Sequence, residues 1–191
     1  LLDAVGISIS YTSGKHMADH TMTLSTQQFR DDFFSEELRR NEYLSSTCMQ
    51  AMQNVEKEVL YFPVPESDVD KSLKVSFADT WHMERNYGGK RVHEGTDIMA
   101  AENKRGLYPV VSVSDGTVKN KGWLERGGWR IGITSDSGTY YYYAHLDSYS
   151  NLKIGDRVRA GELLGYMGDS GYGAEGTVGQ FPVHLHFGIY F

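Results

Sequence analysis

The chain has 191 residues, 40% of them hydrophobic and 23% charged, which suffices for one substantial core plus a smaller attachment and excludes both a disordered tail and a mini-protein. Nineteen Lys and Arg against 25 Asp and Glu leave a net charge of -6, so the positive footprint of a nucleic-acid or anionic-membrane binder is missing. The single cysteine, Cys48, excludes an internal disulfide and any CxxC zinc or redox motif.

The longest apolar stretch near the start, residues 4–9, is far short of the ~20 residues a membrane span needs. The chain opens on Leu1 with no basic segment leading into an apolar one, the pattern of a processed fragment. Residues 1–60 hold only Gly6 and Gly14 of the 21 glycines, no proline, and nine acids against five bases. From Phe29 the apolar positions Phe29, Phe33, Leu44, Cys48, Met52, Val55 and Val59 recur every three or four residues, predicting an amphipathic helix over about 29–60. Ser25 and Gln28 are suited to a capping box at its start, and Cys48 on its stripe reads as a small buried hydrophobe. Pro63 and Pro65 stop the helix by Tyr61 and mark a boundary between a helical segment, 1–60, and a second unit, 61–191.

Beyond the boundary, short period-two runs are separated by glycine turns. Leu73, Val75 and Phe77 alternate, residues 108–114 are β-rich, and Asp115-Gly116 reads as a hairpin turn before Thr117 and Val118. Strands are predicted over 129–134, 139–145, 163–167 and 183–190, giving an antiparallel β-sandwich or barrel.

Four of the seven histidines stand in informative settings. Val183, His184, Leu185, His186 and Phe187 alternate, so His184 and His186 share a strand face and can share a metal; the same spacing also fits two polar residues on a solvated sheet. In His93-Glu94-Gly95-Thr96-Asp97, Gly95 permits a conformation that turns His93 and Asp97 inward together. His93, Asp97 and His186 would make a His, Asp, His set with room for water, as in catalytic zinc sites. His145 closes the strand Tyr141-Tyr142-Tyr143-Ala144-His145, where period two sets Tyr141, Tyr143 and His145 on one face, and it sits at a loop, where functional side chains are displayed. The tyrosines read as good strand formers with wet hydroxyls. His16, His20 and His82 repeat no ligand pattern and read as exposed. Trp81, Trp123 and Trp129 read as packing or groove-wall residues. The Asp169-Ser170-Gly171-Tyr172-Gly173 loop lacks the lysine and helix of a P-loop and reads as a cleft rim. Gly95 and the Asp at position 97 also distinguish the HEGTD segment from a helical HExxH, so Glu94 is not read as a base.

Taken in order, His93 to Ile98, Tyr143-Ala144-His145-Leu146, Gly155-Asp156-Arg157-Val158 through Gly161 with Leu164-Gly165, and His184-Leu185-His186-Phe187 resemble the M23 metallopeptidases, the lysostaphin or LytM type of peptidoglycan endopeptidase. The resemblance spans about 72–191. Residues 171–190, with Arg85 and Arg91, look like a branch found in Firmicutes, clostridial types in particular. It implies that the antiparallel sandwich or barrel is of the lysostaphin type, that His93, Asp97 and His186 bind one zinc ion, and that His145 and His184 are the catalytic pair. It further implies peptidoglycan peptides as partners and a place outside the cytoplasmic membrane of a Gram-positive cell, with room for a membrane anchor upstream of residue 1. Two other readings are weighed against the enzyme. A facial-triad iron oxygenase would use HxD/E spacing and leave His145 and His184 without roles. A non-catalytic M23-like scaffold or activator, in the cell envelope or in sporulation, would keep the fold without turnover. Residues 1–60 are expected to pack on the second unit as a stalk or brace; the sharper alternative has His16, His20 or Asn41 plugging the zinc site.

Overall fold

The structure, a computed structural model, describes residues 42–87 and 89–191. Its one described helix, α1 (Glu42–Glu58), precedes eleven strands: β1 (Val75–Phe77), β2 (Glu84–Arg85), β3 (Arg91–Val92), β4 (Thr96–Ala100), β5 (Pro109–Val111), β6 (Gly116–Leu124), β7 (Gly128–Thr134), β8 (Tyr140–Tyr149), β9 (Arg157–Val158), β10 (Leu163–Met167) and β11 (His184–Tyr190). The predicted helix before Glu42, its capping box, His16, His20 and Asn41 lie outside the described residues. No helix among the described residues is long and apolar enough to cross a membrane.

Helix α1 ends just ahead of the predicted limit, because Val59 makes the last helical bond to Val55 while Leu60 already donates to the Val113 carbonyl at 2.8 Å. Its inner stripe is Met52 and Val55, with Val59 following, all buried. Cys48 is only half-buried, not the fully buried hydrophobe expected. Val55, Val59 and Val64 belong to the same apolar cluster as Ile131, Ile133, Leu164 and Leu185. The end of helix α1 and the strands therefore share one core.

Nine strands form one sheet in the order β1-β4-β11-β8-β7-β6-β9, with β10 joining β8 to β5, and β2 pairs with β3 separately. Every pairing is antiparallel, as period two predicts. The sheet does not close into a barrel, because its path stays open at β1 and β9. The turn between β7 and β8 falls where Ser137-Gly138 signals it, Gly138 having a φ of 95°. Asp115-Gly116 is not a hairpin: β5 pairs with β10, and β6 with β7 and β9. Gly116 is needed there because any Cβ would lie 2.6 Å from Ile133 Cγ2, while Asp115 Oδ1 accepts the Ala160 N–H at 2.7 Å.

The tyrosine strand β8 changes neighbours along its length. Tyr140 to Ala144 pair with β11, whereas Leu146, Ser148 and Tyr149 pair with β10. Between these parts β8 carries an extra residue: Tyr143 and Leu146 face Ile131 and Trp129, three positions against two. His145 occupies this bulge with a φ of 62°, a left-handed conformation uncommon for a residue with a Cβ and typical of bulges beside functional sites. The bulge reverses the predicted facing. Tyr141 and Tyr143 point into the core, both fully buried, while Tyr142 and His145 line the opposite cleft. Nor are the buried hydroxyls wet: Tyr143 Oη accepts the Val113 N–H at 2.9 Å, and Tyr141 donates to Glu58 at 3.2 Å.

Candidate metal centre and its cleft

Strands β4 and β11 run side by side with Asp97 directly opposite His186, so the two side chains leave the same face of the sheet. His184 precedes His186 by two and joins them on that face, in the same cleft. His93 reaches the group from the end of the β2–β3 hairpin, held by its N–H to the Met83 carbonyl and its carbonyl to the His82 N–H, both 2.9 Å. His93 Nε2 lies 2.9 Å from His186 Nδ1, and Asp97 Oδ1 lies 3.1 Å from each of these nitrogens. The donor atoms of His93, Asp97 and His186 fall within 4.8 Å of one another.

The donor set fits a zinc-type cation: two imidazole nitrogens and a carboxylate oxygen converge, with cleft space beside them. His93 Nδ1 lies 3.1 Å from the Thr80 carbonyl, so a proton on Nδ1 leaves the Nε2 lone pair directed at the centre. Arg85 Nη2 lies 2.7 Å from Asp97 Oδ2 and 2.9 Å from His93 Nδ1, fixing the carboxylate by its outer oxygen. Burial acts to raise the Asp97 pKa, but the hydrogen bonds with His186 and His93 and the nearby histidine charge outweigh it, holding the carboxyl far below the usual range. It stays an anion, the form a cation requires. Gly95 serves this arrangement by its missing side chain, since any Cβ there would lie 2.8 Å from the His186 ring and 2.7 Å from the Phe187 carbonyl.

His145 and His184 face each other with ring centroids 4.7 Å apart. His145 Nδ1 lies 2.7 Å from the Ser170 carbonyl and His184 Nδ1 lies 2.7 Å from the Pro182 carbonyl. A carbonyl only accepts, so each Nδ1 carries the proton and each Nε2 keeps its lone pair. Burial pushes both rings below the ordinary histidine value, for His145 well below, with the neighbouring histidines adding to it. Both are neutral bases near pH 7.

Ser170 is the residue that sequence reasoning misses. Fully buried, its hydroxyl donates to the Leu146 carbonyl at 2.6 Å and accepts the Trp129 N–H at 3.0 Å, clamping the bulge that carries His145. Ser170 and Pro182 hold the rings through main-chain carbonyls, which no side-chain motif announces. Thr80 could not be found that way either. The glycine-rich loop lines the cleft, as expected, through Tyr172, which packs edge-on against Phe181 at 4.8 Å; Tyr142 and Tyr190, in edge contact at 6.4 Å, line it too. His82 is exposed. Trp123 and Trp129 pack edge to face at 5.3 Å, outside the cleft.

An open antiparallel sheet carrying a histidine and aspartate cluster beside a histidine pair defines a metallopeptidase-like centre. The chain belongs to peptidase family M23, whose model matches residues 91–191. It is 49% identical over 116 residues to an L-Ala--D-Glu endopeptidase of Bacillus subtilis, covering 60% of this chain and 34% of that protein. It is 38% identical over 81 residues to the glycyl-glycine endopeptidase ALE-1 of Staphylococcus capitis, covering 41% of this chain and 20% of the other. The crystal structure of a lytM protein from Ruminococcus gnavus superposes with a TM-score of 0.70 at 53% identity, over 90% of this chain and 66% of that one. The chain thus spans about a third of the first of these curated relatives and a fifth of the second.

Proposed function

We propose that the chain is a zinc-dependent endopeptidase that hydrolyses peptide bonds in bacterial cell-wall peptidoglycan, with the unit 61–191 as its peptidase domain. One observation carries this reading: His93 Nε2, His186 Nδ1 and Asp97 Oδ1 converge beside two neutral histidines whose Nδ1 protons are already committed to carbonyls. In this reading His93, Asp97 and His186 hold one zinc ion per chain. Bound there, zinc supplies Lewis-acid polarisation of a carbonyl and lowers the pKa of water towards ~7. His145 and His184 take up and release a proton at Nε2, and the carbonyls of Ser170 and Pro182 keep each ring from turning as it changes charge. Tyr172 and Phe181 pack edge-on against His145 at 6.1 and 4.6 Å and shield it from bulk water.

The names of the relatives, endopeptidases for L-Ala--D-Glu and glycyl-glycine bonds, support peptidoglycan as substrate and hence a place outside the cytoplasmic membrane, in a Gram-positive cell. Mass spectrometry of purified muropeptides incubated with the zinc-loaded protein tests the reading, new amino termini being the expected result. His145→Ala should keep its metal while hydrolysis falls by roughly 10²–10⁴-fold, as expected for loss of a general acid or base. Bound zinc with intact muropeptides would leave a scaffold rather than an enzyme.

A further inference from the structure

The chain carries a net charge of -6, yet three guanidinium groups, Arg85, Arg91 and Arg126, line the cleft of about 630 Å³ over the metal centre, against the carboxylates of Glu94 and Asp97. Arg85 is committed to Asp97. Among the described residues Arg91 has no carboxylate partner: its Nη2 donates to Tyr172 Oη at 3.1 Å and its Nε to the Tyr87 carbonyl at 3.4 Å. The rings of Tyr87 and Tyr172 stack at 4.1 Å and 4°, and Tyr172 in turn abuts His145. A guanidinium has five N–H donors, so two neutral contacts leave donors to spare on a group fixed one aromatic ring from a candidate proton carrier. Such a planar, pre-oriented fork matches a carboxylate.

We propose that Arg91, in the cleft that Arg126 also lines, binds a substrate carboxylate next to the scissile bond, so that the cleft selects acidic peptides, of the kind with D-Glu at the cut, over neutral glycine chains. The proposal rests on the peptidase reading and narrows its substrate. A chain of glycines offers these guanidiniums no anion, whereas a carboxylate there gains charge-assisted hydrogen bonds inside a cleft partly screened from water.

The experiment uses the full chain and two synthetic peptides, N-acetyl-L-Ala–D-Glu–L-Lys and its counterpart with the free D-Glu carboxylate converted to a carboxamide. Cleavage is followed by mass spectrometry and binding by calorimetry. The carboxylate peptide is expected to be preferred by about 10–100-fold, the worth of hydrogen bonds to a charged group, mainly through KM and Kd. In Arg91→Gln the ratio between the two peptides should collapse towards one, and Arg126→Gln should reduce it. Equal handling of the two peptides by the unaltered protein overturns the proposal. So does an Arg91→Gln variant that weakens both peptides equally, which would make Arg91 only a clamp for the Tyr172 loop. If neither peptide is cut, the muropeptide digestion decides whether the peptidase reading stands, while the ratio of binding constants still decides whether the cleft reads a carboxylate.

Discussion

At the scale of single residues, the centre combines groups whose charge states are set by opposite means. Asp97 is kept anionic by hydrogen bonds that overcome its burial, whereas His145 is kept neutral because burial prevails. Removing a ligand should therefore empty the site. The purified protein is expected to carry about one zinc per chain, and Asp97→Ala or His186→Ala to lose it by metal analysis; full zinc in both variants would refute the ligand set. The buried histidine also predicts a pH dependence of stability in the metal-free protein. Its folded pKa lies below the ordinary 6.5, so between those values the unfolded chain binds more protons than the folded one. Stability is then fully present above about 6.5 and is lost as pH falls towards the folded pKa, by at most about 1.4 kcal/mol per pH unit for one proton. Thermal melts of chelator-treated protein between pH 7.5 and 5 should show this slope, and His145→Gln, which cannot titrate, should flatten it. An unchanged slope would remove His145 as its source.

At the scale of elements, two strand features build the site. The antiparallel register of β4 with β11 brings Asp97 to His186, and the bulge in β8 turns His145 out of the core towards them. Gly95 is the tightest point of the first feature. Gly95→Ala would press a methyl group into the Phe187 carbonyl and the His186 ring, and β11, buried between β4 and β8, has little room to retreat. Zinc affinity is expected to fall by roughly the 10–100-fold seen when a supporting contact of a metal ligand is lost. Competition with a chromogenic chelator measures it; an affinity matching the parent protein would show that β11 moves freely.

For the whole molecule, the shared core makes the helix part of the folded unit. Val55 and Val59 are buried with the strand residues, and Tyr141 donates to Glu58 from β8. On these contacts we propose that the helix braces the strands. Fully burying one such side chain is worth about 1.5–3 kcal/mol, so a chain beginning at Pro63 should be destabilised by several kcal/mol in denaturant unfolding, and Val55→Ala by about 1.5–3 kcal/mol. A truncated chain as stable as its parent would show that the helix braces nothing. A gain of hydrolysis on truncation would instead favour the plug.

The sequence alone determined what depends on local periodicity and on motif order. Alternation in Val183 to Phe187 was enough to put His184 and His186 on one face; Pro63 and Pro65 were enough to end the helix; His93 to Asp97, followed by His145 and the final histidine pair, was enough for the family. Tertiary structure decided whatever depends on partners far apart in the chain. The inserted position in β8 is visible only against β7, and it shifts the period by one, which is why Tyr142 rather than Tyr143 faces the cleft with His145. The pairing of β5 with β10 displaced the hairpin that Asp115-Gly116 suggested, because a turn signal is also a close-approach signal when a neighbouring side chain needs the space. Ser170 and Pro182 act through carbonyls that every residue possesses, and Arg91 meets Tyr172 across 81 positions. Such contacts carry no pattern in one dimension, since they come from strand register and loop packing, which are settled only when the whole sheet forms.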